Sequence, residues 1–392
     1  MEPTLFVLDN CIQNYAWGSR SAIAELLGQT TPSSSPEAEL WIGAHPKAPS
    51  RIVDPSGWGT LAGAIRQAPD ALLGSAVAAR FSGELPFLFK VLAAEEPLSI
   101  QAHPSLAQAR EGFDRENRAG VPLDAPNRNY RDANHKPELV APLTPFVALE
   151  GFRPADEIVA GFSPLDPTLA LLASTSGPAA LRVFFETLMA ADTNARTTLL
   201  ERARTVAAQR TEDCWKWVRR LMGKYPGDLG ALAPLYLNLV HLEAGEALYL
   251  PAGELHAYLE GTALEIMANS DNVLRGGLTA KHVDVAELVS TLSFHSGHPE
   301  VLRAVPTSPS ESTYRTPAPE FELSLVEIKS KVRSLVPGAS ILLGLEGEAT
   351  LEAPDRLVRL TKGRAVFVPA CLGSIRASGH ARFARASVPA VG

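Results

Sequence analysis

Two stretches far apart in the chain carry the same punctuation. Gly245 and Pro251 bracket five residues in GEALYLP, and Gly363 and Pro369 bracket five more in GRAVFVP. A glycine that permits a tight turn, followed by an apolar run of strand length closed by a proline, describes a turn feeding a strand. Its recurrence points to two β-structures of like construction within one chain. In the first copy the pattern continues through Gly253 to His256, giving G-x5-P-x-G-x2-H, whereas the second has Ser374 at the position corresponding to the histidine. The first unit thus carries an imidazole at a position where the second has a hydroxyl.

The rest of the chain fits around these two units. From Leu85 to Gly151, and again from Tyr236 to Asn269, short apolar runs are broken by Pro, Gly and Asn, the texture of strands and tight turns. Between them, residues 154–234 are rich in Ala and Leu with helix-period segments such as PAALRVFFETLMAAD and TTLLERARTVAAQ. Further helices are expected over SAIAELL, over LAGAIRQAPDALL, and over SLAQAREGFDREN with Ser105 as the cap. The segment PTSPSESTYRTPAP, residues 306–319, is apolar-poor and reads as a surface connection. The expected division is thus a metal-binding domain from residues 1–153 and 235–305, a helical insertion over 154–234, and a C-terminal barrel without metal over 306–392.

Composition narrows the function classes. With 392 residues, 46% of them hydrophobic and 20% charged, the chain can bury two or three cores. Its net charge of −7 without basic runs argues against nucleic-acid binding, which needs clustered Lys and Arg, but leaves room for a small anion held by a local cluster. No stretch approaches the roughly 18 uninterrupted apolar residues of a membrane span, and MEPTLFVLDN lacks the basic-then-apolar order of a leader, so a cytoplasmic protein is expected. Cys11, Cys214 and Cys371 are odd in number and widely spaced, which suits neither a disulfide framework nor a paired-cysteine zinc site.

Spacing within three strand-like segments suggests a different metal site. Strand side chains alternate, so residues two apart share a face. Gln101 and His103 in LSIQAHP, Lys136 and Glu138 in NHKPEL, and His256 and Tyr258 in ELHAYL are such pairs. Taken singly, each histidine reads as an ordinary hydrogen-bonded strand residue. Taken together, two imidazoles, a carboxylate and an amide oxygen form a mixed nitrogen and oxygen set suited to zinc and to other first-row divalent ions.

The G-x5-P-x-G-x2-H pattern resembles the second motif of the cupin jelly-roll barrels, so a mainly β architecture of cupin barrels with a helical insertion is expected. Longer strings are more specific. QNYAWGS, AELWIGAHP, LPFLFKVLAAEEPLSIQAHPS, NHKPEL, LPAGELHAYL and EIMANSDNVLRGGLTAKHVD resemble type I mannose-6-phosphate isomerases and occur in that family's order, spanning residues 5–294. Ala44, where the family often has threonine, and KAPS are small departures. The resemblance implies one zinc held by Gln101, His103, Glu138 and His256, and an active-site role for Arg275.

It further implies interconversion of mannose 6-phosphate and fructose 6-phosphate, serving mannose use and GDP-mannose synthesis. That reaction moves a proton between adjacent carbons through an enediol-like intermediate and needs a base, oxyanion stabilisation and opening of the sugar ring. Glu265, Lys136 and Lys90 are the candidates for the base. His135 with Asp271 are expected to open the ring by resemblance. Trp17 and Tyr258 suit the sugar face, while Ser99, Lys281 and Arg275 suit the phosphate. No membrane or nucleic-acid partner is expected, and the chain is read as a monomer. Two rivals share the barrel: an iron-dependent oxygenase, which would use a more histidine-rich set, and a non-catalytic sugar-phosphate sensor, which would have lost ligands or Arg275.

Overall fold

The computed structural model describes residues 3–53, 57–174, 177–329, 333–335 and 338–389; the outer bounds of the expected domains, at residues 1 and 392, lie outside these. Two large antiparallel sheets dominate it. In the first, the path runs Leu302–Arg303, Glu246–Leu250, Glu138–Pro142, His256–Ala268, Phe87–Ala94, Glu39–Gly43 and Cys11–Gln13. The His256–Ala268 strand is its spine. Its second half pairs with Phe87–Ala94 and Glu138–Pro142, whereas its first half pairs with Ile100–Ala102 and Phe146–Phe152. The change of wall occurs at Gly261, where φ is +119° and a Cβ would lie 2.6 Å from the Pro145 carbonyl oxygen. Only glycine fits such a corner. The result is the closed double wall of a jelly-roll, in keeping with the expected mainly β cupin architecture.

Strands of this barrel are buried on both faces, and alternation decides what each face carries. In Phe87–Ala94 the residues Phe87, Phe89, Val91 and Ala93 join a core shared with Ile341, Leu343, Phe367 and Ala384 of the C-terminal sheet. The alternate positions Leu88, Lys90 and Leu92 face the lumen, as do Glu265 between Leu264 and Ile266, and Glu39 and Trp41 around Leu40. A lysine and two glutamates in otherwise apolar strands are thereby gathered inside the barrel rather than left in the shared core.

The insertion forms five α-helices, Ala155–Phe162, Pro167–Ala173, Pro178–Met189, Thr193–Ala207 and Asp213–Lys224, followed by a 3-10 turn at Leu229–Leu235. Their apolar faces pack on Ile100, Leu149, Leu255 and Leu274 of the barrel. Ser105 caps Leu106–Arg118 through a reciprocal capping box with Gln108. The expected single helix over LAGAIRQAPDALL is instead two, Leu61–Gln67 and Pro69–Leu73. Proline at position 69 cannot donate into the preceding turn and starts a new helix.

Both glycine–proline units feed strands, Glu246–Leu250 and Ala365–Val368. The C-terminal sheet contains more than residues 306–392 would supply. Phe6–Asp9 pairs with Ala365–Val368, and Arg51–Ile52 pairs with Phe6–Asp9, so the start of the chain closes the distal sheet before it enters the metal barrel. The expected surface connection at 306–319 is also partly ordered. Val305–Ser308 and Glu311–Tyr314 form an edge hairpin beside Glu322–Lys329, with Pro306 in the outermost strand, where a missing N–H is tolerated. The three cysteines are free, and no described helix is long and apolar enough to cross a membrane.

Candidate metal centre

The inner end of the barrel brings together His103, Glu138 and His256. Their ligand atoms all lie within 4.8 Å of one another, and this is the only such group of three among the described residues. Nε2 of His103 is 3.4 Å from Oε1 of Glu138, and Nε2 of His256 is 3.4 Å from Oε2 of the same carboxylate. Each imidazole is turned by its other nitrogen: Nδ1 of His103 donates to the Asn272 carbonyl at 2.7 Å, and Nδ1 of His256 to the Glu254 carbonyl at 3.1 Å. Both Nε2 lone pairs therefore face Glu138.

Nε2 of His103 is buried without a hydrogen-bond partner, the condition of a nitrogen placed for a metal ion. Burial, reinforced by the Lys136 ammonium, pushes the His103 pKa down to about 4, so the ring is neutral and able to ligate. Burial raises the proton affinity of Glu138, but Lys136 and the two imidazoles outweigh it and hold the carboxyl well below the usual range. The Lys136 contact, 2.8 Å from Nζ to Oε1, is the shortest of these. Gln101 is the register partner of His256, and its amide nitrogen donates to Ser99 Oγ at 3.1 Å. Two nitrogens, a carboxylate and an amide oxygen suit zinc.

A small recess of about 50 Å³ holds Glu138, His256, Tyr258 and Glu265, and shares Glu39, Lys90, Ser99, Gln101 and Lys136 with an outer cavity of about 430 Å³. In that recess Lys90 lies between two carboxylates, 2.9 Å from Glu265 and 3.4 Å from Glu39. Burial opposes its charge, but the two carboxylates prevail and the ammonium is retained. Burial also raises the pKa of Glu265, against the pull of Lys90. Tyr258 reaches Glu138 with its hydroxyl at 3.5 Å and so belongs to the recess rather than to the outer cavity.

The outer cavity collects Trp17, Asp271, Arg275 and Lys281. Arg275 is the register partner of Gln101. Burial and the neighbouring Arg131 lower the pKa of Arg275, and burial, Arg275 and Arg131 lower that of Lys281. Three cations thus crowd together, and none forms an ion pair with a carboxylate among the described residues.

His135 is the expected site residue that the structure does not bring here. Its Nε2 lies 2.8 Å from Glu320 at the seam with the C-terminal sheet. His135 and Lys136 both precede the Glu138–Pro142 strand, and there Lys136 turns to Glu138 in the recess while His135 turns to Glu320. Asp271 instead meets Lys47 at 2.8 Å and His45 at 3.8 Å. His45, together with Tyr15, Glu39 and Trp41 on the cavity wall, was not singled out from the sequence. Alternation within ELWIG would have put Glu39 and Trp41 on one face. His45 accepts from the Lys47 amide at Nδ1, so its neutral ring carries the proton at Nε2, toward Asp271. Burial pushes its pKa down to about 4.

Comparison with known proteins agrees with this geometry. Residues 5–155 match the family model described as phosphomannose isomerase type I, catalytic domain. The mannose-6-phosphate isomerase of Escherichia coli (strain K12) is 42% identical over 384 residues, covering 96% of this chain and 98% of its own, and that of Homo sapiens is 35% identical over 408 residues, covering 94% of each. Among solved structures, a zinc-bound mannose 6-phosphate isomerase superposes with a TM-score of 0.92 at 41% identity, and the apo form from Salmonella typhimurium with 0.92 at 40%; each covers 99% of this chain and is covered completely. Near-complete coverage in both sequence and fold, together with a buried His, Glu, His group in the barrel, places the chain in the type I phosphomannose isomerase family.

Proposed function

We propose that this protein interconverts D-mannose 6-phosphate and D-fructose 6-phosphate at a zinc site formed by Gln101, His103, Glu138 and His256. The observation that carries the reading is the unpartnered, buried Nε2 of His103, turned by Asn272 toward Glu138, whose recess shares its wall with the outer cavity of Arg275 and Lys281. Zinc supplies, when bound, a Lewis acid for the carbonyl and adjacent hydroxyl oxygens of the substrate.

The chain's own residues have the remaining tasks. Lys136 keeps Glu138 ionised and in place. Arg275 and Lys281, both destabilised as cations by burial and by Arg131, gain a partner when a phosphate dianion arrives, and Ser99 adds a hydroxyl. We assign the carbon-to-carbon proton transfer to Glu265: burial raises its affinity for a proton, and the Lys90 contact keeps the carboxylate ionised until it is needed. Lys90 stabilises the charge that remains when the proton returns to the neighbouring carbon. Asp271, braced by His45 and Lys47 at the mouth, is the ring-opening group in this reading, and Trp17 is the sugar-stacking face. The three-part domain division, a monomeric state and a cytoplasmic location belong to the same reading.

The test is conversion of mannose 6-phosphate to fructose 6-phosphate by purified protein, before and after chelation, with single divalent ions then restored. Activity that disappears with the metal and returns best with zinc supports the assignment. Inactivity in every metal state refutes it and favours the sugar-phosphate sensor.

A further inference from the structure

A second cavity, about 440 Å³, opens at the seam where the metal barrel, the 295–302 segment and the C-terminal sheet meet. It does not share a lining residue with the outer substrate cavity. Three glutamates line it, Glu150, Glu254 and Glu300, together with His295, His298 and Arg315. Glu150 is only 8% exposed, and its Oε2 is fully buried without a hydrogen-bond partner. Glu254 lies beside it. Its Oε1 accepts from Ser293 at 2.8 Å, and its Oε2 lies 3.2 Å from where a Cβ on Gly151 would stand.

The surroundings offer Glu150 no compensation. The charged groups acting on it are Glu254, which is of like sign, and His256. Both nitrogens of His256 are already committed, Nδ1 to the Glu254 carbonyl and Nε2 toward Glu138. Asn238 lines the cavity too, but its amide hydrogens go to the carbonyls of Glu150, Gly151 and Gly297. Arg315 at the rim is 65% exposed and paired with Glu322 at 3.1 Å. Burial and Glu254 push the Glu150 pKa up to about 7, and the cavity that this residue lines is large enough to hold a ligand.

We propose that this cavity binds a primary ammonium on a short carbon skeleton, with Glu150 and Glu254 as its counter-charges. The ligand is cationic because three glutamates line the space and its one arginine, Arg315, is already paired with Glu322. An ammonium suits the arrangement better than a bare metal ion. Glu150, Glu254 and His295 do not converge as three ligands, whereas an ammonium points three N–H donors at separated oxygens. The other walls include Phe152, Pro251 and Leu302, apolar surfaces against which a carbon stem packs.

The experiment uses the metal-loaded, full-length protein and calorimetric titration with n-butylammonium chloride, with n-butanol as the uncharged shape match and magnesium and calcium chlorides as metal probes. The expected result is saturable binding of one butylammonium per chain, without comparable binding of butanol or of either metal. Glu150→Gln and Glu254→Gln each weaken it by at least about 10-fold, the loss of one charge-assisted hydrogen bond. Leu302→Lys, which fills the cavity with its own ammonium, also abolishes it. Absence of saturable binding, equal binding of butanol, preferential binding of magnesium or calcium, or butylammonium binding that persists in both glutamine variants, as an amine bound at the zinc would, overturns the proposal. None of these outcomes bears on the isomerase reading, which the conversion assay tests separately.

Discussion

Nζ of Lys90 lies 2.9 Å from Oε2 of Glu265, and the two residues face each other in register across adjacent strands of the barrel. The pair is almost wholly buried, with side-chain exposures of 6% and 3%, and Glu39 approaches the same ammonium. Removing the lysine would strand two carboxylates. Lys90→Met is expected to destabilise the protein by about 3–5 kcal/mol, measured by urea unfolding. The double variant Lys90→Met with Glu265→Leu should recover part of that loss while remaining inactive. A single Lys90→Met variant as stable as the parent would show that the carboxylates have another partner.

The metal centre should also be a stability element. Zinc that binds the folded barrel and not the unfolded chain adds about 3 kcal/mol when free ion is at a hundredfold excess over its dissociation constant. Chelation should lower the melting temperature, and restored zinc should raise it. In His103→Ala and in Glu138→Gln that metal-dependent increment should shrink toward zero, with zinc stoichiometry by elemental analysis falling in parallel. An unchanged increment in both variants would place the ion elsewhere.

Histidine at position 45 makes a pH prediction whose sign follows from burial. Its pKa falls from 6.5 to about 4 on folding, so between these values the unfolded chain binds more protons than the folded one. The stabilisation it contributes is complete above pH 6.5 and is lost as pH falls to about 4, a total of about 3 kcal/mol. Chemical unfolding of metal-free protein across that range should show stability rising with pH, and His45→Gln should flatten the rise. A variant with the parent's slope would contradict the burial account.

The cationic mouth predicts a split between substrates. Removing Arg275 or Lys281 takes away a charge-assisted contact worth about 1.5–3 kcal/mol, so kcat/KM for mannose 6-phosphate should fall by roughly 10-fold to 150-fold. Steady-state kinetics with unphosphorylated mannose should register little further loss from the same substitutions. Equal losses for both sugars would mean that these cations act on the reacting carbons instead.

His135 provides the complementary case. Since its ring meets Glu320 at the seam and is absent from both chambers of the site, His135→Asn should keep kcat/KM near the parent value. Its cost should appear in unfolding, about 1 kcal/mol for the lost contact. A large fall in activity at unchanged stability would return His135 to the ring-opening step.

Local patterns reached a good part of this structure. Alternation in LSIQAHP, NHKPEL and ELHAYL put Gln101, Lys136, Glu138, His256 and Tyr258 on shared faces, and all five line the recess, Lys136 from the segment just before its strand. His135 and Lys136 part in the segment before the Glu138–Pro142 strand, where strand alternation does not apply. His45 escaped notice because it follows the Glu39–Gly43 strand and turns inward only through its packing on Trp41, with ring centroids 4.8 Å apart. Arg131 was equally silent, since its nearness to Arg275 and Lys281 comes from a loop folding back on the barrel.

The sequence by itself determined the repeated turn-to-strand units, the capped and periodic helices, and the chemical types that could ligate a metal, because each depends on neighbours only a few residues apart. Tertiary structure alone decided which of those groups meet. His103, Glu138 and His256 converge because the His256–Ala268 strand turns from one wall to the other at Gly261, and Phe6–Asp9 joins the distal sheet because that sheet's Ala365–Val368 strand has a free edge for it. Such pairings rest on contacts between residues far apart in the chain, whose free energy comes from closing both walls around a buried core and cannot be read from any one segment.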